Sequence, residues 1–193
     1  IATVAAGLLL TYHAGAAPIQ WTSGSGGNDH WYEFIAGTFT SDEAHADAAS
    51  MSHLGLTGYV TTITSAEENT FVFGLTGGQI AWLSGTDALL EGTFVFNSGP
   101  ESGEVMTYLP FWTGEPNNEN GAEHHLHMNL HLAAGVPGAG GFWNDIPEGF
   151  TSGYVVEYSE VPAPSTLAGM AFGLIGLSVV RRRKIGATAT HRV

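Results

Sequence analysis

All five basic residues of this chain stand at its C-terminal end: Arg181, Arg182, Arg183, Lys184 and Arg192. The first 180 residues carry all 18 Asp and Glu and no Lys or Arg. A body of that kind repels phosphate, so nucleic acid is excluded as a partner. It also has almost no internal salt bridges available, because histidine is its one cationic side chain. Either the surface tolerates self-repulsion, which aids solubility, or bound cations neutralise part of it. The remaining composition is that of a globular core. The 193 residues are 44% hydrophobic and 11% aromatic, which suits one domain rather than two. The absence of cysteine excludes a disulfide-stapled miniprotein and any Cys-ligated zinc or iron–sulfur site.

The two ends read as addresses. Ile1 to Leu10 is small and apolar, and Ala14-Gly15-Ala16 supplies the A-x-A pattern of signal-peptidase cleavage. Residues 1–16 are therefore expected to be a truncated signal peptide, the alternative being a buried first strand, and 17–27 a linker. At the other end, Val161-Pro162-Ala163-Pro164-Ser165 is a rigid spacer, and Leu167 to Val180 follows without a charge. Fourteen helical residues reach about 21 Å, short of a hydrocarbon core of about 30 Å. The basic cluster then marks a cytoplasmic side. This tripartite tail, 161–193, resembles the PEP-CTERM sorting signal of Gram-negative bacteria, with Ala163 where the family has Glu. The resemblance implies an exosortase-type processing partner, transient membrane anchoring through the apolar segment, and export to the cell envelope, the outer surface or the medium.

Between the addresses lies a domain over 28–159. His30 to Ile35 reads as a strand. Thr40 to Glu43 is an N-cap with a capping-box Glu, opening a helix through about Ser52. Tyr59 to Ile63 reads as a strand, and Ser65 to Glu68 as a second capping box whose helix runs to about Leu75. Short strands are expected at Ile80–Ser84, Phe94–Phe96, Leu126–Leu130, Phe142–Asn144 and Tyr154–Tyr158. Two helices followed by a loop-rich antiparallel half make an α+β class.

The stretch from Tyr108 to Phe142 is long for a connection in a compact domain, and such stretches are usually functional or disordered. It holds Glu115-Pro116-Asn117-Asn118 and Glu123, with Trp143-Asn144-Asp145 beyond. These offer carboxylate and amide oxygens, and calcium takes six to eight hard oxygen ligands. A cis peptide before Pro116 would turn the Glu115 and Asn117 side chains the same way. Asn, Pro and Gly are also simply turn formers.

Taken together, Glu115-Pro116-Asn117, the Glu eight positions later and Trp143-Asn144-Asp145 resemble the sugar-binding signature of the C-type lectin-like domain. Glu43-Ala44, the run Thr62 to Asn69, Trp82 to Asp87, Glu91 to Phe96, Phe111-Trp112 and Gly153 to Tyr158 follow in the order of that family. The resemblance implies a principal calcium held by Glu115, Asn117, Glu123, Asn144 and Asp145, the same side chains bonding two vicinal sugar hydroxyls. The Glu-Pro-Asn version implies a mannose- or glucose-type glycan or exopolysaccharide. A family auxiliary calcium site would fall on Asp87, Glu91, Asn118, Glu123 and His124. Asn118 and His124 stand there where the pattern has Asp, which weakens or removes that site. Ala48, His125 and Val156 occupy three of the family's disulfide positions.

His124, His125, His127 and His131 need a separate account. Strand alternation puts the last three on one face, where imidazoles could bind zinc or nickel in a metalloenzyme. No H-E-x-x-H helix, nucleophile elbow, P-loop or dinucleotide fingerprint accompanies them, and a polar face of an edge strand accounts for them more cheaply. The expected function is calcium-dependent carbohydrate binding rather than catalysis. The alternatives are a lectin-fold adhesion module with structural calcium only and, behind it, the metalloenzyme. Intact mass of the native protein is expected to show both ends removed; a mature form still carrying Arg181 to Lys184 would overturn the processing.

Overall fold

The computed structural model describes residues 17–160. The expected signal peptide and the sorting tail with its apolar anchor lie outside the described residues. In chain order the elements are β1 (Ile19–Gln20), β2 (Trp31–Phe39), α1 (Ser41–Ser50), β3 (Ser52–His53), β4 (Leu56–Val60), α2 (Ala66–Thr76), β5 (Ala81–Thr86), β6 (His125–Met128), α3 (Leu130–Ala133), β7 (Trp143–Ile146) and β8 (Ser152–Tyr158). The class is α+β. None of the described helices is long and apolar enough to cross a membrane.

The last strand organises the rest. β8 runs antiparallel to β2 along one edge, Trp31 facing Tyr158 and Ile35 facing Tyr154. Its other edge is shared. The C-terminal half pairs antiparallel with β4, Val60 opposite Val156, and the N-terminal half pairs parallel with β5, Trp82 opposite Tyr154. β6 and β7 extend the sheet beyond β5. Alternation along β8 sends Tyr154, Val156 and Tyr158 into the cluster under α1, with Ala44, Ala48, Val60 and Trp82. Val155 points the other way, into a cluster with Tyr32, Val72, Leu83, Leu126 and Trp143.

Local chemistry accounts for the element ends. Thr40 and Glu43 form the reciprocal capping box at α1. The helix stops at Ser50, two residues before the expected end, because Met51 is extended and gives its carbonyl to the Gly58 N–H. Leu54 and Gly55, both at positive φ, then close the tight β3–β4 hairpin. At α2, Ser65 caps the Glu68 N–H as expected. Glu68 does not complete the box: its Oε2 accepts from the N–H and hydroxyl of Thr64, one residue further back. Gly58 lies where β4 crosses α1. A Cβ there would come within 2.7 Å of both the Ala48 carbonyl and the Val156 side chain.

Several expectations are corrected. Residues 17–27 are built into the domain rather than linking to it: β1 pairs with β2, and Trp21 stacks on Phe71 at 5.4 Å. The expected strand Tyr59–Ile63 is shifted toward the N-terminus. Beyond Val60 the chain leaves the ladder, and Thr61 bridges the backbones of Val155 and Ser84. Phe94–Phe96 makes only an isolated bridge of Val95 to Thr86 and Val105. The expected strand through Leu130 ends at Met128, because Asn129 turns at φ 70° and α3 begins.

The histidines do not share a face. His125 and His127 both meet the Trp82 ring, whereas His131 rides on α3. Nor is β6 an edge strand, since β5 and β7 flank it. His127 is fully buried, stacked on Phe150. Burial pushes its imidazole from an ordinary 6.5 down to about 4. The unfolded chain takes up that proton near 6.5 and the folded chain only near 4, so stability is full above pH 6.5 and falls as pH drops toward 4. The loss from this group approaches about 3 kcal/mol at about 1.4 kcal/mol per pH unit. Urea unfolding of wild type and His127→Leu at pH 7 and pH 4.5 is expected to show a shallower pH dependence in the variant; equal slopes would remove His127 as the cause.

Candidate functional site: a carboxylate-lined loop on the β7 edge

The long loop is fastened to β7 from both sides of Trp143. The Trp143 N–H donates to the Pro110 carbonyl and the Trp112 N–H to the Trp143 carbonyl, each at 2.9 Å. The indole itself is fully buried, donating from Nε1 to Asn69 Oδ1 at 2.8 Å. This fixes Asn144 and Asp145 beside the returning loop. There the Glu115–Pro116 bond is cis, and Asn118 and Asn120 take left-handed backbone.

Asp145 is the fastener. Its Oδ1 accepts the Asn117 N–H at 3.1 Å and its Oδ2 the Asn118 N–H at 2.7 Å, while the side chain is wholly buried. Within the loop, Asn118 Oδ1 takes the Glu123 N–H and Glu123 Oε2 takes the Glu119 N–H. Asn144 is buried and donates from Nδ2 to the carbonyl of Asp145. Glu115 is nearly buried, its Oε1 3.1 Å from His131 Nε2, and that imidazole lies against the Trp112 ring.

Three carboxylates thus share one corner of a domain without Lys or Arg. Burial pushes the Glu115 carboxyl up, the Asp145 charge adds to the shift, and His131 opposes it. Burial likewise raises Glu123, with Asp145, Glu119 and Glu115 contributing. Two acceptors in this corner, Glu115 Oε2 and Asn144 Oδ1, are buried with no hydrogen-bond partner among the described residues. Buried acceptors without donors are costly, and a hard cation satisfies both. The principal set therefore fits calcium. Asn117 is the exposed member of the five, at the solvent side of the corner.

The auxiliary set does not fit calcium. Asp87, Glu91 and His124 come together, with ligand atoms within 4.8 Å of one another. Of the two other members, Asn118 has its Oδ1 on the Glu123 N–H, and Glu123 belongs to the principal set. Two carboxylates and an imidazole nitrogen fall well short of six oxygens. The four clustered histidines also part company. His124 meets Asp87, His125 meets Glu148, His127 is enclosed by aromatic rings, and His131 meets Glu115. Nothing in the sequence singled out His131 as a neighbour of Glu115, because that contact depends on α3 replacing a strand.

Comparison with known proteins decides the fold. The crystal structure of the C-type lectin CEL-I from Cucumaria echinata matches with a TM-score of 0.57 at 24% identity, over 69% of this chain and 92% of that one. The described domain has the C-type lectin-like fold. Two relatives are similar in sequence. Halomucin of Haloquadratum walsbyi is 31% identical over 147 residues, which is 72% of this chain and 2% of that protein. Human C-type lectin domain family 4 member K is 29% identical over 138 residues, 71% of this chain and 38% of that one. The chain thus spans well under half the length of these relatives. Residues 160–184 match the PEP-CTERM protein-sorting motif, so the C-type lectin-like domain is followed by a sorting signal.

Because Asp145 holds two loop amides directly, its loss should open the loop even without metal. Asp145→Ala is expected to speed hydrogen exchange at Asn117 and Asn118 by at least about tenfold, since hydrogen bonds to a charged group contribute about 1.5–3 kcal/mol. Unchanged protection in metal-free buffer would show that other contacts hold the loop.

Proposed function

We propose that the domain binds carbohydrate through a calcium ion held by Glu115, Asn117, Glu123, Asn144 and Asp145. The observation that carries this reading is the pair of buried, unpartnered oxygens, Glu115 Oε2 and Asn144 Oδ1, in a corner of acids without a Lys or Arg. Bound calcium supplies open coordination for two neighbouring sugar hydroxyls and offsets the repulsion among Glu115, Glu123 and Asp145. The chain's own residues do the selecting. Glu115 and Glu123 accept from sugar hydroxyls, while Asn117 and Asn144 donate to them. That order of donors and acceptors suits the equatorial hydroxyls of mannose- or glucose-type sugars, such as those of an exopolysaccharide.

The same side chains serve ion and sugar, so removing one leaves the others short of a partner. Two of the similar proteins, human C-type lectin domain family 4 member K and CEL-I, are lectins by name, which favours binding over catalysis, although a fold hosts many functions. The sorting motif supports display at the envelope or release from it after exosortase-type processing, with the apolar tail as a transient anchor. One observation favours the second reading, a lectin-fold adhesion module with structural calcium only: Asp145 ties down the loop without any sugar contact.

Calorimetric titration separates the two. With calcium present, wild type is expected to bind mannose at roughly millimolar strength, about −4 kcal/mol. Asn144→Ala should lose the sugar while keeping the fold, and chelator should abolish binding in wild type. Sugar binding unchanged in Asn144→Ala would overturn the site. A calcium-raised melting temperature with no glycan bound on an array would leave the adhesion module in its place.

A further inference from the structure

We infer that the glycan taken at the β7 corner carries a protonated amine, as an unacetylated hexosamine does, and that uronate, sulfate and phosphate sugars are refused. The inference rests on the calcium reading above and adds to it the charge of the sugar. Three carboxylates meet in this corner, those of Glu115, Glu123 and Asp145. The Glu115 side chain is 8% exposed, and Glu123 and Asp145 are buried. Two buried oxygens without partners among the described residues, Glu115 Oε2 and Asn144 Oδ1, call for a ligand at the same place. A divalent ion set against three carboxylates leaves one negative charge uncancelled. Salt screens charges this deep much less than exposed ones.

The domain's own side chains do not restore the balance. No Lys or Arg occurs between residues 17 and 160. His131 reaches the corner, but its Nε2 is engaged by Glu115 Oε1 at 3.1 Å and its ring lies against Trp112. His124 is engaged by Asp87 at 3.2 Å. The rim adds charge of the same sign. Glu119 is exposed in the turn Glu119–Gly121, whose start is fastened by the Glu119 N–H on Glu123 Oε2 at 2.8 Å. Its carboxylate is near enough for its charge to help raise the Glu123 carboxyl. A sugar seated through two ring hydroxyls therefore presents its neighbouring substituents to a surface that stays negative. An anionic substituent is repelled there, whereas an ammonium meets Glu119, an exposed carboxylate outside the five-residue ligand set. Between unit charges about 6 Å apart, attraction in water alone is worth about threefold in affinity, and more beside a protein surface.

Calorimetric titration of the calcium-saturated full chain tests the assignment, at about pH 6.5 so that the amine is protonated. The probes are the methyl glycosides of glucose, glucosamine, N-acetylglucosamine and glucuronic acid. All four keep the same equatorial 3- and 4-hydroxyls, and the N-acetyl sugar separates the effect of charge from that of size. At about 10 mM ionic strength the glucosaminide is expected to bind at least about threefold tighter than the glucoside, and the glucuronide at least about threefold weaker. The N-acetyl sugar should match the glucoside. Both gaps should close at about 1 M salt, where the screening length is about 3 Å. Glu119→Gln, a change at an exposed side chain, should cut the glucosaminide preference at least about twofold and leave the glucoside unchanged. A glucuronide bound as tightly as the glucoside at low ionic strength would overturn the charge selection while leaving the sugar site standing. So would an amine preference that survives high salt or Glu119→Gln. Binding of none of the four in saturating calcium would overturn the sugar reading and this inference together.

Discussion

Between residues 17 and 160 there is no lysine or arginine, yet Glu68, Asp87, Glu123, Asp145 and Glu157 are all buried. A buried carboxylate must be paired or richly hydrogen-bonded, and here neutral donors and histidine carry that load. Glu157 is the central case. Its Oε1 lies 2.6 Å from His30 Nδ1, and its Oε2 accepts from the Thr61 hydroxyl and the Thr62 N–H. Tyr32 donates its hydroxyl to Glu68 at 2.7 Å, and Asn28 donates to both Tyr32 and Glu68. This network joins β2, β8 and the chain just beyond β4 to the start of α2. The Glu157 hydrogen bond, against burial, raises the His30 imidazole above its ordinary value.

The same constraint shapes the loop on the β7 edge. Asp145 is satisfied by backbone amides, which pin Asn117 and Asn118, and Glu123 accepts from Glu119. Glu115 finds one histidine and keeps one bare oxygen. Where neutral donors run out, a cation is the remaining partner, and that is why the candidate binding corner coincides with the bare oxygen of Glu115. Fold stability and ligand chemistry are therefore linked through one shortage of positive charge.

Packing acts at Ala48 and Val156, two positions where the resemblance implies cross-links. Ala48 and Val156 are buried in one cluster, with Gly58 admitting the close approach of β4. His125 meets Glu148 at 3.0 Å, tying β6 to the chain just beyond β7. Such a contact holds less firmly than a covalent bond, and burial lowers the His125 imidazole while Glu148 opposes that shift.

The sequence by itself determined the α+β class, the capping at Thr40 and Ser65 and the lectin-like order of motifs, and it offered Glu115, Glu123 and Asp145 as candidate ligands. These are legible because they rest on local spacing: a cap acts within three residues, and Glu-Pro-Asn and Trp-Asn-Asp are contiguous. Tertiary structure decided what depends on distant partners. Residues 17–27 belong to the domain only because β2 offers an edge to Ile19 and Phe71 a surface to Trp21. The histidines look alike along the chain, yet Asn129 turns the backbone and sends His131 to Glu115, while the sheet buries His127 under Phe150. Asp87, Glu91 and His124, grouped in the sequence only through the family resemblance, meet because β5 and β6 pair in one register.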